Sequence, residues 1–352
     1  MLSTCCNPSF FYHGAYCLPS LQNQSVLRLF RNNSPFTVLV LFLFAIVVKL
    51  QALLHPVAPE RVAGHFLYNY MLRGIDIVFR HSSYAYTFLA IFILFAQSLY
   101  IKDIATRHKL FPRHTYVPSY VYLLLTSIYL PFNFFSETMI LNTLLLGAVD
   151  VMFSFTQTTQ PRKLIYNAAF LLCLAAMFQF SLLTYFLLLL VGMVMFRPFN
   201  LGEWSVAMMG YVTPVYFLIC LLFLADKFYL LYQWPHIGIS LSANVVSPFY
   251  LIVTIAGIII LLGTGIYAMQ QNVALSNIYV RRDWTAISFY LMISVLTAII
   301  TDSSIKSAWL IAMPALSIII SHGLLLEKNK RFSNFIFYFS LLLLLFCLWA
   351  GK

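Results

Sequence analysis

The sequence predicts an all-α membrane protein: a polytopic bundle of about eleven transmembrane helices, with one amphipathic helix on the outer face and the N-terminus inside. Three observations carry this prediction. Of the 352 residues, 62% are hydrophobic and only 9% are charged, whereas soluble domains carry about 25% charged residues. Apolar runs, each long enough to cross about 30 Å of hydrocarbon, recur from residue 36 to the end. The alternating ten-residue pattern of an outer-membrane barrel is absent, and only helices and closed barrels satisfy their backbone in lipid.

Residues 1–33 read as a polar cytoplasmic tail ending in "LRLFRNNSP", and 34–352 as a single transmembrane domain. The spans fall at 36–54, 84–101, 116–132, 137–156, 165–180, 181–196, 204–225, 248–269, 284–301, 307–326 and 334–350. The run 165–196 reads as a tight hairpin turning near Gln179–Ser181, with one long tilted helix as the alternative.

Charge tests the order of these spans. With the N-terminus inside, fourteen of the 21 Lys and Arg residues fall on inner segments, among them Lys102, Arg107, Lys109, Arg113, Arg162 and Lys163. Six fall outside: Arg61, Arg73, Arg80, Lys227, Lys306 and Lys352, while Lys49 lies within the first span. Cytoplasmic loops carry the excess of Lys and Arg, which sets the orientation and accounts for the net charge of +11 without nucleic acid. Cys173, Cys220 and Cys347 lie in apolar runs as small hydrophobes; Cys5, Cys6 and Cys17 lie in the tail without metal-ligand spacing. No P-loop, HExxH or GxSxG motif occurs.

One outer segment departs from the charge pattern. Residues 60–83, "ERVAGHFLYNYMLRGIDIVFRHSS", hold five ionised side chains and two histidines. Arg61, His65, Asn69, Arg73, Asp76 and Arg80 recur at steps of three and four, one stripe of a helix, opposite Phe66, Leu67, Tyr70, Met71, Ile75 and Val78. Such a helix suits the membrane interface. Its basic residues would meet lipid phosphates in general, or clamp a diphosphate bidentately. Lys49 reads either as snorkelling to the surface or as a counter-charge for Glu60, Asp76 or a bound phosphate. Glu137, opening a span after "LPFNFFS", is a candidate carboxylate and equally a helix-start residue beside a Ser136 cap. Asp150 is the lone deeper intramembrane acid, the residue on which a transporter or lipid flippase would depend. The turns at Arg197–Glu203 and Arg281–Asp283 read as topogenic anchors.

Over about residues 26–350 the chain resembles an uncharacterised family of bacterial multi-spanning inner-membrane proteins common in Bacteroidota. The resemblance rests on "LRLFRNNSPF", "AQSLYIKDIATRHKLFPRHTYVPSYVYLLLTS", "YNAAFLLCLAAMFQF", "GYVTPVYF" and "IYVRRDW". It implies no activity. In order of parts the chain is also similar to the C-type glycosyltransferase superfamily, with an acid in "HPVAPERVAGHFLYNYMLRG", a second in "PFNFFSETMILN", and the 165–196 hairpin. That second resemblance implies a lipid-linked sugar as substrate and gives Glu60 the role of base or ligand to a divalent metal, with Asp76 as the fallback. It departs from the superfamily in its short first outer loop and in Glu-Arg where an Asp or Asp-Glu is usual.

The expected function is binding of a polyisoprenyl-phosphate-linked sugar at the outer leaflet, with transfer of the sugar in envelope glycan assembly. Lys49, Arg61, His65, Arg73 and Arg80 are the substrate-binding candidates, and Glu60, Asp76 and Glu137 the catalytic ones. The alternatives are the transporter or flippase and a non-catalytic subunit of an envelope complex, docked through the inner loops 102–115 and 270–283. Membrane lipids and envelope proteins are the expected partners. A Tyr70→Cys variant should react with a membrane-impermeant thiol reagent added outside spheroplasts; labelling only after lysis would place the segment on the other side.

Overall fold

The computed structural model describes residues 27–31, 34–62, 64–156, 158, 160–233, 248–273, 277–301, 307–325 and 330–350. Cys5, Cys6 and Cys17 of the tail, and Lys306 and Lys352 of the charge argument, lie outside these. Among the described residues every regular element is helical. Among these residues seven helices are long and apolar enough to cross a membrane: α5 (Ser83–Arg107), α7 (Glu137–Phe153, continued by a 3-10 turn to Thr156), α8 (Pro161–Phe178), α10 (Leu201–Leu224), α11 (Pro248–Val273), α12 (Ile278–Ile300) and α14 (Lys330–Ala350). The others expected to span are shorter apolar helices. These are α2 (Pro35–Val48), α6 (Val117–Ile128), α9 (Tyr185–Phe196) and α13 (Met313–Leu324), the last two entered through single 3-10 turns.

Two of the short helices form the centre. Every residue of α6 and of α13 is buried, as a helix enclosed by others must be. α5, α11 and α14 pack around them, and α8 joins α7 to α10 on the flank. Lipid tails are as apolar as leucine, so helices associate in a bilayer through close packing and interhelical hydrogen bonds. Both devices are present. A Cβ on Gly265 of α11 would lie 2.5 Å from the Ile319 carbonyl oxygen of α13, so that crossing admits only glycine. Tyr122 of α6 donates to Gln97 Oε1 of α5 at 2.6 Å, and Gln97 Nε2 donates to the Met139 carbonyl of α7 at 2.6 Å. Asn142 of α7 reaches the Leu310 carbonyl at 2.8 Å, and the Tyr250 hydroxyl of α11 reaches the Ile128 carbonyl at 2.7 Å.

Several local expectations take a different form. The apolar run 36–54 is interrupted at Lys49, where α2 ends and the short α3 (Leu50–Leu54) begins. The run 165–196 breaks at Gln179, which is extended and donates through its side chain to Thr301 Oγ1 at 2.8 Å. The amphipathic helix α4 spans Phe66–Phe79 and not the full stripe. Pro56 and Pro59 disfavour helix before it, and Gly64 takes a left-handed conformation at φ 85°. Arg61 and His65 therefore precede the helix. The short α1 (Leu27–Arg31) packs on the bundle: Leu27 and Phe30 are buried, and Arg31 donates to the Leu324 carbonyl at 2.6 Å and to Ser333 Oγ at 2.7 Å.

Gly265→Ala should lower thermal stability in detergent by about 1–3 kcal/mol through overpacking against backbone. Gly263→Ala, where an added Cβ meets nothing within 4 Å, should leave the melting temperature unchanged or raised.

Candidate functional site

Two segments far apart in the chain enclose a cavity of about 260 Å³. One wall is the loop between α3 and α4, with Val57, Pro59, Glu60 and Val62. The other is the segment from Pro131 through Phe134, Phe135 and Ser136 to Glu137, which links α6 to α7. Tyr68 of α4 and Ser307 complete the lining. Of the sequence-derived candidates, Glu60 and Glu137 meet here.

Two contacts hold the loop in place. Asn69 Nδ2 of α4 donates to the Val62 carbonyl at 2.8 Å. His65, at the N-terminal boundary of α4, places Nδ1 2.8 Å from Glu137 Oε2. Both side chains are buried, at 7% and 3% exposure, so removing one partner strands the other without water. Ser136 takes the N-cap position and Glu137 opens the first turn, but the Ser136 side chain makes no capping bond, and its Oγ, like Glu137 Oε1, is buried without a hydrogen-bond partner among the described residues. Both atoms belong to residues of the cavity wall and retain unused bonding capacity.

Lys49 neither snorkels to the surface nor pairs with Glu60 or Asp76. It is fully buried and donates to Asn133 Oδ1 at 2.5 Å and Thr126 Oγ1 at 3.3 Å. Among the described residues no carboxylate lies within 4.0 Å of its amine. Asn133 ends the 3-10 turn Leu130–Asn133 just before the cavity wall, so Lys49 braces that wall from behind.

The polar stripe of α4 divides. Asp76 collects the Tyr86 hydroxyl at 2.5 Å, His81 Nδ1 at 3.1 Å and Arg61 Nη2 at 3.4 Å. Arg80 and His81 both have left-handed backbone, φ 49° and 60°, which ends α4 and turns His81 back onto Asp76. The Tyr86 ring lies 5.7 Å from that of Phe135, a cavity residue, and so links this cluster to the cavity wall. The Tyr86 hydrogen bond, followed by the positive charge of His81 and Arg61, holds the Asp76 carboxyl below its ordinary range. Arg73 instead sits over the Tyr70 ring at 5.3 Å. Asp76, Arg73 and Arg80 are not among the wall residues.

At the opposite end of the bundle Asp150 is saturated. Arg107 Nη1 lies 2.9 Å away, His108 Nε2 3.0 Å and the Tyr100 hydroxyl 3.0 Å. Sequence reasoning missed these partners, although residues 100, 107 and 108 share one face of α5. Tyr86, Asn133 and Ser307 carry no motif that marks them.

Among the described residues no three His, Cys, Asp or Glu side chains converge as metal ligands would. The divalent ion that the superfamily resemblance implies for Glu60 thus has no ready-made set of three such ligands among the described residues. A scan against protein-family models, a search of curated proteins and a search of solved structures each returned no match. The class defined by the fold is that of an all-helical membrane protein.

A depressed native pKa means that ionised Asp76 stabilises the fold at neutral pH and that this contribution disappears as pH falls through the carboxylate range. The difference in melting temperature between wild type and Asp76→Asn should therefore be largest near pH 7 and shrink on acidification; a gap that widens as pH falls would contradict the assignment.

Proposed function

We propose that the chain is an inner-membrane protein of about eleven spans that binds a polyisoprenyl-phosphate-linked sugar at the outer leaflet and transfers the sugar to an acceptor hydroxyl. The observation that carries this reading is the shared cavity of Glu60 and Glu137, two acids drawn from separate segments to one space. Its aromatic members Tyr68, Phe134 and Phe135 offer apolar faces to a sugar ring, and Ser136 and Ser307 offer hydroxyls. A volume of about 260 Å³ suits a headgroup and leaves the lipid tail outside.

Roles follow from how each side chain is held. Glu60 lies in the exposed part of the wall and takes the proton of the acceptor hydroxyl. Glu137, buried against His65, orients the sugar and anchors α4. As the acceptor oxygen bonds to the anomeric carbon, the bond from that carbon to the phosphate oxygen breaks and the polyisoprenyl phosphate leaves with the electron pair. Arg61, next to Glu60 in the chain, meets the negative charge that develops there. The saturation of Asp150 by three donors supports an anchoring role for it and does not favour the transporter alternative.

Glu60→Gln should reduce glycan output in cells by about 10²–10⁴-fold, while native mass spectrometry still finds a polyisoprenyl phosphate on the gently extracted variant. Arg61→Gln should lower retention of that lipid. Full output from Glu60→Gln, Asp76→Asn and Glu137→Gln alike would remove the enzymatic reading.

A further inference from the structure

A second feature near α4 lies outside the cavity. Arg73 and Lys227 both approach Tyr70, with the Arg73 guanidinium carbon 5.3 Å and Lys227 Nζ 5.0 Å from the ring centroid. Lys227 also donates to the Tyr70 hydroxyl at 2.8 Å. Arg73 comes from the middle of α4. Lys227 follows the end of α10, where Asp226 takes a left-handed turn at φ 53° and the Lys227 amide bonds back to the Leu222 carbonyl at 2.9 Å. Two cations from separate elements are thus gathered on one ring. Among the described residues no carboxylate lies within 4.0 Å of either.

The surroundings describe the missing anion. One turn beyond Arg73, Ile77 and Val78 are 82% and 74% exposed. Directly after Lys227, the 3-10 segment Phe228–Gln233 exposes Phe228, Tyr229 and Tyr232. Aromatic and basic side chains combined with bare aliphatic surface are the composition of a protein face at the headgroup level of a bilayer. The ring quadrupole attracts both cations, but a tyrosine leaves their net charge uncompensated. A phosphodiester placed between guanidinium and ammonium would compensate it, and its acyl chains would continue along Ile77 and Val78.

From this we infer that Arg73, Tyr70 and Lys227 form a binding site for the headgroup of an anionic glycerophospholipid, which fastens α4 to the end of α10. None of its three residues lines the cavity or takes a part in the proposed sugar transfer.

The test is native mass spectrometry of detergent-solubilised protein titrated with phosphatidylglycerol or with phosphatidylcholine. Wild type should retain phosphatidylglycerol in preference. Arg73→Gln and Lys227→Gln, both changes of exposed or partly exposed side chains, should each weaken that binding about fivefold, in line with about 1 kcal/mol per basic residue at an anionic surface. Lys163→Gln removes the same charge beside Arg162, which packs against Gly202 at the other end of α10, and should have no effect. Melting temperatures equal to wild type establish that the variants are folded. Equal retention of the two lipids by wild type, unchanged phosphatidylglycerol binding in the Arg73→Gln/Lys227→Gln double variant, an equal loss in Lys163→Gln, or complete displacement of the lipid by inorganic phosphate would each overturn the assignment.

Discussion

The contact between α6 and α13 is the constraint around which the remaining helices are arranged. Both are enclosed on every side, and in lipid no hydrophobic force drives such enclosure. Their sequences show what replaces it. α6 contributes Ser119, Tyr120, Tyr122, Thr126 and Ser127, and α13 contributes Ser317, Ser321, His322 and Gly323. The small residues permit close approach, and several polar ones reach neighbours. Ser119 donates to the Ser98 carbonyl at 2.6 Å and Tyr122 to Gln97 at 2.6 Å. Buried polar groups that find partners in this way stabilise the assembly modestly each, about 0.6 kcal/mol on average between membrane helices, but they also select one register of packing over others.

The cavity inherits its rigidity from that core on one side only. The wall from Pro131 to Glu137 leaves α6 directly and is braced by Lys49 on Asn133 and by Tyr250 on the Ile128 carbonyl. The facing loop has no such support from regular structure. It depends on Asn69 and on the His65–Glu137 contact. A site formed between a fixed wall and a pinned loop combines precision with the capacity to open, since loops occupy the low-stability end of a fold.

The two ends of the bundle treat acids differently. Asp150 spends both carboxylate oxygens on donors from α5, and it ties α5 to α7. Glu137 uses one oxygen on His65 and leaves the other without a partner among the described residues. A buried carboxylate with unused capacity beside a cavity is a chemical resource, whereas a saturated one is a fastening.

The sequence by itself determined the all-helical membrane class of the protein and where its long apolar helices lie. Hydrophobic runs are properties of consecutive residues, so the breaks at Gln179 and before α7 were legible, as was the amphipathic segment between the first two long apolar runs. Its limits were not. The stripe from Arg61 to Arg80 has helical spacing throughout, yet Pro59 and Gly64 stop the helix at Phe66 and leave Arg61 free to fold back onto Asp76. Glu60 and Glu137 could be singled out by their charge in apolar surroundings, but that they share a cavity could not. Lys49 could be seen to be costly in its span, but only the packed structure supplies Asn133 and Thr126 as its partners. Periodicity and composition act along the chain within a few turns. Which buried groups meet depends on how helices distant in sequence cross, and that is decided by close packing at positions such as Gly265 and by polar contacts made across the bundle.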